Sequence, residues 1–137
     1  MAYWLVKSEP DTWSWDDHVK KGVQGWEGVR NFQAAANMKK MKTGDRAFFY
    51  HTGGEKQVVG ILEVVKEYHP DPTDETGKFG MVDFKPVQPF KTPVTLAQVK
   101  AEKKLQHLAL IKQGRLSVQP VDDAAWKTIC GMGGIKG

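Results

Sequence analysis

Runs of apolar residues, separated by glycine, proline and charged residues, outline the strands of this chain. The first run, Tyr3-Trp4-Leu5-Val6, is rich in aromatic and branched residues, as is typical of a β-strand. Further on, such residues either cluster or alternate with polar ones, which predicts more strands. The segments with this pattern are 46–51, 57–68, 79–88 and 115–118, the last of them closed by Pro120.

Helices are predicted where a capping residue stands before a segment of high helix propensity or apolar periodicity. Asn31 precedes the run Phe-Gln-Ala-Ala-Ala-Asn-Met-Lys-Lys-Met, which favours a helix over 32–41. The other predicted helices begin at Thr12 or Ser14 and end near Lys20, begin at Thr95 and end near Lys103, and follow Asp122 over residues 123–130.

The order of these elements indicates the fold class. Strands are grouped in the middle of the chain with helices towards both ends, which favours an α+β fold over repeated strand–helix–strand units. Five or six short strands with tight turns could curl into a small β-barrel. We find no internal repeat and no interdomain linker. We therefore expect a single domain over residues 1–130 and a flexible C-terminal tail over 131–137.

The composition is that of a globular protein. Of 137 residues, 40% are hydrophobic and 26% are charged, which excludes wholesale disorder and low-complexity classes. The single cysteine, Cys130, has no internal partner, and this favours a reducing compartment such as the cytoplasm. No stretch approaches the ~20 apolar residues needed to cross a bilayer, and the N-terminus carries no basic leader. We expect a cytoplasmic protein without membrane contact.

Charge alone does not define a partner. A formal net charge of +4 permits contact with phosphates but does not demand it, so affinity for a nucleic acid would also need a pocket. The aromatic residues supply a hint of one, because four of the five tryptophans fall near the start of the chain. These four are Trp4, Trp13, Trp15 and Trp26.

Metal and nucleotide-cofactor chemistry find little support in the sequence. The four histidines (His18, His51, His69 and His107) are not spaced as ligands on one element, and Cys130 stands alone. The chain has no Walker loop, no Gly-x-Gly-x-x-Gly and no Gly-x-Ser-x-Gly. We expect no metal and no cofactor.

Three segments combine polar, aromatic and turn residues in an unusual way. They are Trp4-Leu5-Val6-Lys7-Ser8-Glu9-Pro10 continuing to Trp13-Ser14-Trp15, Trp26-Glu27-Gly28-Val29-Arg30-Asn31, and Arg115-Leu116-Ser117-Val118-Gln119-Pro120. With Gly44-Asp45 and Phe49-Tyr50-His51 between them, these segments closely resemble the EVE domain family. The resemblance extends over nearly the whole chain, from about Ala2 to Ile129.

The resemblance implies a PUA-like fold, a small curved β-barrel with helices packed around it, related in shape to YTH and ASCH domains. It also implies a non-catalytic pocket that accepts a modified base of DNA or RNA. One departure is visible, since many relatives carry Arg-Asn where this chain has Ala35-Ala36. If that arginine touches phosphate in relatives, contact here must come from elsewhere; the candidates are Lys39, Lys40, Lys42 and Arg46.

A base removed from its stack needs aromatic or apolar walls and a few hydrogen-bonding groups. We assign Trp26, on a loop between glycines, to a wall, and Asn31, Ser8 and Glu9 to the polar edge of the base. Phosphates would meet Lys7, Arg30 and Arg115. The remaining ligand-binding candidates are Val29, Trp13, Trp15, Tyr50, His51 and Ser117.

Several candidates also have a purely structural interpretation. Asn31 could serve as a plain helix cap, and Arg30 could pair with Glu9 in a salt bridge. Trp13 and Trp15 lie two residues apart and cannot share one helical face, so one is expected in the core and one near the surface or the pocket.

The candidates on predicted strands also have both a ligand-binding and a structural interpretation. Tyr50 and His51 point to opposite sides of a strand, so one of them is expected at the cavity mouth. Arg115 and Ser117 share a strand face, where ordinary polar contacts of a barrel are the alternative to ligand binding.

We therefore expect a binding module for a modified nucleobase within a nucleic acid, and not an enzyme. The alternative is an enzyme that acts on RNA or a small nucleotide-like substrate, with Glu9 or His51 as the acid–base group. A small-molecule sensor or protein-interaction domain is a third possibility. The modification, the choice between DNA and RNA, the protein partners and the oligomeric state stay open.

Overall fold

A computed structural model describes all 137 residues and contains one six-stranded sheet with five α-helices around it. The strands are β1 (Tyr3–Ser8), β2 (Gln24–Gly25), β3 (Arg46–His51), β4 (Gln57–Pro70), β5 (Gly80–Thr95) and β6 (Val118–Val121). The helices are α1 (Trp15–Lys21), α2 (Phe32–Lys39), α3 (Leu96–Ala101), α4 (Ala109–Lys112) and α5 (Asp123–Met132), with a 3-10 turn at Lys103–Leu105. The α+β class predicted from the sequence is confirmed.

The sheet is mixed and open. Its strand order is β2-β5-β4-β3-β1-β6, in which β1 and β3 run parallel and every other neighbouring pair is antiparallel. Strands β2 and β6 form the two edges and do not pair with each other, so the sheet curves without closing into a full barrel. Irregularities in the pairing of β4 with β5, where the register shifts four times, bend the two long strands.

Each face of the sheet carries its own hydrophobic core, because side chains alternate along a strand. In β1, Trp4 and Val6 face the first core and Leu5 faces the second. Strand β3 divides likewise, with Phe49 on the first side and Phe48 on the second. The tryptophans of the N-terminal region therefore gather on one face of the sheet.

Some element bounds differ from those predicted. Strand β5 continues to Thr95 instead of ending near residue 88, through Pro86, Pro89 and Pro93. Strand β2 pairs with β5 only at Asp83 and Phe84, so beyond that point β5 is an edge, where prolines are tolerated. Strand β6 lies at 118–121 and includes Pro120 rather than ending before it, again on an edge. Strand β2 and helix α4 are short elements that the sequence did not reveal.

The C-terminal segment contacts the rest of the domain. Helix α5 runs to Met132, two residues past its predicted end, and is the longest helix at ten residues. No helix has the length and apolar character to span a membrane. Beyond α5, the N–H of Ile135 donates to Cys130 O at 3.0 Å and the Gln88 amide donates to Lys136 O at 2.8 Å. The flexibility of residues 131–137 in solution stays a prediction.

One buried carboxylate fixes the first strand beside the turn before β3. Asp45 is 5% exposed. It accepts hydrogen bonds from the Ala2 N–H at 3.0 Å, the Trp4 indole N–H at 3.1 Å and the Lys42 N–H at 3.0 Å. A buried donor left without a partner costs free energy, so this carboxylate matters for stability.

Replacing Asp45 with alanine removes the acceptor of three N–H groups. We expect Asp45→Ala to lower the free energy of unfolding by ~2–3 kcal/mol, mainly because the Trp4 indole loses its buried partner. Urea denaturation measures the loss, and Asp11→Ala, at an exposed carboxylate without a hydrogen-bond partner, is the control. Equal midpoints for the two variants would contradict this assignment.

Candidate functional site

A cavity of about 350 Å³ opens where the end of β1, the turn before α1 and the segment around β2 meet. Such a volume lies at the lower end of the ~300–1,000 Å³ typical of small-molecule sites, and suits one planar group better than an extended ligand. The lining residues are Lys7, Ser8, Thr12, Trp13, Gln24, Gly25, Trp26, Glu27, Gly28 and Thr73.

Two tryptophans supply the aromatic part of the cavity lining. Trp26 is 7% exposed and belongs to the first core, where its ring meets Phe49 edge-on at 5.3 Å and Phe84 at 5.8 Å. Its backbone N–H donates to Val82 O at 2.8 Å, which holds the loop against β5. Trp13 is half-buried and packs on the same core. The aromatic lining is thus braced from behind by the core.

A buried imidazole fixes the orientation of Trp13. The Trp13 indole N–H donates to Nδ1 of His18 at 3.1 Å, and Nε2–H of His18 donates to Phe84 O at 2.9 Å. Because Nδ1 accepts a hydrogen bond, the ring is in the neutral form. Burial lowers the pKa of His18 below its ordinary value, against the opposing effect of the bond to Phe84. The imidazole therefore joins helix α1 to β5 without a charge.

Two side chains at the end of β1 bring polar groups to the cavity. The Ser8 hydroxyl donates to Trp13 O at 2.5 Å, so towards a ligand it can act only as an acceptor. Lys7 donates to Gly114 O at 2.8 Å and keeps two further N–H groups. Burial lowers the pKa of Lys7 from its ordinary value. Alternation along β1 turns Ser8 to the face of Val6 and Lys7 to the face of Leu5, so the two side chains reach the cavity from opposite faces at the end of the strand.

A second buried carboxylate holds the rim of the cavity. Asp71 accepts from the Gly28 N–H at 2.8 Å, the Arg30 guanidinium at 3.1 Å, the Thr73 N–H at 2.7 Å and the Thr73 hydroxyl at 2.6 Å. Burial alone would raise its pKa, but the hydrogen bonds from Thr73, Gly28 and Arg30 outweigh it and hold the pKa at about 2. Gly28 and Thr73 both line the cavity, so Asp71 ties together two loops of its rim.

The charge at the cavity is nearly balanced. Among the lining residues Lys7 is the one cation and Glu27 the one anion. Arg30 lies outside the lining and pairs with Asp71, not with Glu9 as the sequence suggested. Arg115 is exposed and lies elsewhere. The basic rim expected from the sequence is therefore reduced to Lys7 at the cavity itself.

Several predicted residues lie outside the cavity. Asn31 caps α2, its side chain accepting from the Ala34 N–H at 2.9 Å, and shares a separate surface depression with Arg115. Val29 is buried in the first core. Glu9 is exposed, and its carbonyl accepts the N–H groups of Thr12 and Trp13. These residues support the loops around the cavity rather than lining it.

Of the paired candidates, Trp13 lines the cavity and Trp15 belongs to the core. Trp15 meets Phe49 edge-on at 5.7 Å and covers Gly60, where an added Cβ would lie 2.6 Å from the indole. The Trp15 N–H donates to Nε2 of His51 at 3.0 Å, and Nδ1 of His51 lies 2.9 Å from Glu55. Both ring nitrogens of His51 are therefore engaged.

Tyr50 and Ser117 are also placed away from the lining. Tyr50 belongs to the second core and borders a different depression, together with Lys7. Ser117 contributes its carbonyl, which accepts the Lys7 N–H at 2.9 Å and so positions the end of β1. Neither Tyr50 nor His51 reaches the mouth of the cavity.

The sequence missed residues that reach the site through the β4–β5 loop and helix α1. Thr73 lines the cavity, and Asp71 and His18 hold its walls, yet none of the three lies within the segments singled out. A proline-flanked aspartate followed by threonine two residues later is a signal for an Asx-type turn, and this could have marked Asp71. No cluster of three or more His, Cys, Asp or Glu side chains is arranged to hold a metal ion.

The chain is similar in sequence to known proteins over most of its length. The family model of the EVE domain matches residues 2–132 of this chain. Thymocyte nuclear protein 1 of Gallus gallus is 32% identical over 159 residues, covering 88% of this chain, and that of Homo sapiens is 31% identical over the same share. This chain spans 64% of the length of the chicken relative and 68% of the human one.

Solved structures are similar over almost the full chain. Rpa0253 from Rhodopseudomonas palustris is 57% identical, with a TM-score of 0.92 over 98% of this chain and 94% of that one. Human THYN1, solved in complex with DNA containing 5-methylcytosine, is 28% identical, with a TM-score of 0.93 over 100% of both chains. An ASCH protein from Zymomonas mobilis, 14% identical with a TM-score of 0.61 over 96% of this chain and 95% of that one, shares the fold. The family resemblance and PUA-like fold inferred from the sequence are confirmed.

Protonation of His18 should destabilise the protein. In the unfolded chain the imidazole takes up a proton as the pH falls below its ordinary pKa of 6.5, whereas the folded ring resists because its pKa is lowered. The contribution of His18 to the free energy of unfolding is thus complete above that pH. It is lost as the pH falls towards the lower pKa of the folded protein. Between about pH 7 and pH 5 we expect His18→Gln to lose less stability than the native protein.

Thermal unfolding monitored by circular dichroism at several pH values measures this dependence. His107→Gln, at an exposed histidine that pairs with Asp122, is the comparison variant, because it removes another imidazole and leaves His18 in place. A His18→Gln variant that loses stability as steeply as the native protein over this range would show that another group titrates.

The carboxylate of Asp71 should control the order of the cavity rim. We expect Asp71→Ala to lower the free energy of unfolding by ~1–3 kcal/mol and to speed amide exchange at Gly28 and Thr73, whose N–H groups lose their acceptor. Hydrogen exchange followed by NMR gives the local measurement. Glu75→Ala, at an exposed acid of the same loop, is the control; unchanged protection at Gly28 in Asp71→Ala would refute the assignment.

Proposed function

Because the chain belongs to the EVE domain family, we propose that it binds a modified nucleobase in DNA and that the base enters the cavity between Trp13 and Trp26. The observation that carries the proposal is a cavity for one planar group, lined by two indoles and by neutral hydrogen-bonding groups. A human relative of the same fold has been solved with DNA containing 5-methylcytosine, which makes a methylated cytosine the first ligand to test.

The lining matches the chemistry of a base better than that of a charged metabolite. A base offers two π-faces for the tryptophans, and stacking contributes ~1–3 kcal/mol per base. The exocyclic amino group of cytosine is a donor, and Ser8 offers an acceptor because its own proton is engaged with Trp13 O. With Lys7 and Glu27 as the charged groups of the lining, binding depends on shape and stacking more than on net charge.

A methyl group changes the free energy of binding through the apolar area that it buries. One additional buried carbon is worth ~0.8 kcal/mol, or about a fourfold preference, when the space for it already exists. Larger discrimination needs a lining that leaves an unmodified base poorly packed. The indole of Trp26, which the core holds in place, provides a wall that cannot relax onto a smaller base.

A base can reach this cavity only after leaving its stack. Extruding a base from a duplex costs a few kcal/mol, and the cost is smallest where the base is already unpaired. We therefore expect the protein to bind the modified base most tightly in single-stranded or mismatched DNA.

The enzyme alternative loses its geometric basis, because neither Glu9 nor His51 lines the cavity. Both nitrogens of His51 are hydrogen-bonded within the protein. The proposal is therefore a binding module, in which Lys7 and Glu27 are the charged groups of the lining.

Titration with oligonucleotides that differ in one cytosine, either unmodified or 5-methylated, tests the function. We expect tighter binding of the methylated strand, and a loss of affinity of about 5- to 150-fold in Trp13→Ala, the equivalent of one lost stacking contact. Trp13→Ala also leaves Nδ1 of the buried His18 without a donor, so circular dichroism checks that the fold of this variant is retained. Trp26→Phe, which keeps a smaller ring in the core, is a second variant.

Trp126→Phe is the matched control, because it removes an indole from the second core, away from the cavity. RNA strands and oligonucleotides with other modified bases extend the panel. Negligible affinity for every member of the panel, or an unchanged affinity in both cavity variants, would overturn the proposed function.

A further inference from the structure

An exposed aromatic ring is linked to the cavity rim through Phe79 and Arg30. Phe32 is 72% exposed, whereas the other strongly exposed large apolar side chains, Met1, Val19 and Val23, are aliphatic. Phe32 is the first residue of α2, directly after the cap Asn31. A large apolar ring so accessible at a helix start has no role in either core.

Phe32 belongs to a small cluster that leads to the cavity. Its ring lies 5.0 Å from that of Phe79, and the Arg30 guanidinium lies over the Phe79 ring at 5.7 Å. Arg30 also donates to the hydroxyl of Thr73 at 2.9 Å, and Thr73 lines the cavity. We name Phe32, Phe79 and Arg30 the aromatic step. Its contacts run without a break from the exposed ring to the rim.

The aromatic step is held in place before any ligand arrives. The Asn31 side chain accepts the Ala34 N–H at 2.9 Å and fixes the start of α2, on which Phe32 sits. The Asp71 carboxylate accepts from the Arg30 guanidinium at 3.1 Å and from the Thr73 N–H at 2.7 Å, and so fixes the Arg30 end of the aromatic step. A ring presented on fixed backbone loses little conformational freedom on binding, which favours its use as a contact.

We propose that Phe32 stacks against the nucleobase next to the one held in the cavity. The inference rests on the proposed function. When one base leaves its stack, the neighbouring base loses a partner, and an exposed apolar ring can replace that partner. The Arg30 guanidinium, which lies over the neighbouring Phe79 ring, suits the phosphate that joins the two nucleotides.

The occupant is a base of the bound strand rather than a protein. Phe32 is a single ring bordered by the polar, exposed Asn31 and Gln33, and is not part of a broad apolar face. Its connection to the cavity passes through Arg30 and Thr73, which are hydrogen-bonding groups suited to a nucleic acid backbone. Phe32 thus extends the cavity into a site for two adjacent nucleotides.

Phe32→Ala tests the stacking contact with two ligands, a short methylated oligonucleotide and the free nucleoside 5-methyl-2′-deoxycytidine. We expect the oligonucleotide affinity to fall by about 5- to 150-fold and the nucleoside affinity to stay unchanged, because the nucleoside has no neighbouring base. Phe32→Trp should retain the oligonucleotide affinity. Val19→Ala, at an exposed apolar residue of α1, is the matched control.

A thermodynamic cycle identifies the base that is stacked. The ligands are oligonucleotides with an abasic site either before or after the methylated cytosine. We expect one of the two abasic sites to weaken binding to the native protein. The same abasic site should not weaken binding to Phe32→Ala any further, because the stacking contact is already lost. Additive losses at both positions would overturn the stacking contact, as would equal losses for oligonucleotide and nucleoside in Phe32→Ala.

The two proposals fail in distinguishable ways. If Trp13→Ala loses oligonucleotide affinity while Phe32→Ala keeps the native value, the cavity stands and the role of Phe32 is refuted. If the native protein binds neither oligonucleotide nor nucleoside, the proposed function is refuted, and the inference about Phe32 with it.

Discussion

The aromatic lining of the cavity depends on one imidazole that carries no charge. His18 accepts from the Trp13 indole through one nitrogen and donates to Phe84 O through the other, so a single neutral ring joins helix α1, the cavity wall and strand β5. A charged ring would present N–H groups on both sides and leave the indole without an acceptor. Burial among Trp26 and Phe49 keeps the ring neutral and the wall in place.

The rim of the cavity, in contrast, depends on a charged group. Asp71 is buried as a carboxylate, and its charge is stabilised by hydrogen bonds from two loops that are distant in sequence. Such an acceptor binds backbone N–H groups more firmly than a neutral one does. The cavity thus has a wall set by an uncharged ring and a rim set by an ion, while the space between them is nearly neutral. That division suits recognition of a planar, uncharged ligand.

The sequence predicted the parts of the site that are local and missed those that depend on long-range pairing. Four of the candidates line the cavity: Lys7 and Ser8 at the end of β1, Trp13 in the turn before α1 and Trp26 in a glycine-flanked loop. Thr73 and His18 reach the same place through the packing of the β4–β5 loop and helix α1, which no local pattern encodes. Strand β5 was predicted too short because its prolines indicate a loop unless the strand is known to lie at an edge.

Candidate residues in the right segments were often given the wrong role. Asn31, Arg30 and Val29 stand close to the cavity in sequence, but a cap, an ion pair and a core position account for their contacts. Polar residues of a loop look alike in sequence whether they face a ligand or another loop. The difference arises from partners such as Asp71, whose burial appears only when the hairpin is folded.

The position of β1 in the sheet has a consequence for the order in which the molecule assembles. This strand lies between β3 and β6, so the first and last strands of the chain are direct neighbours. During synthesis, one side of β1 therefore has no partner until β6, at residues 118–121, has emerged. Contacts of such high sequence separation form slowly, and an unpaired strand edge is prone to association with other chains. Pairing with β6 therefore covers an association-prone edge of β1 only late in synthesis.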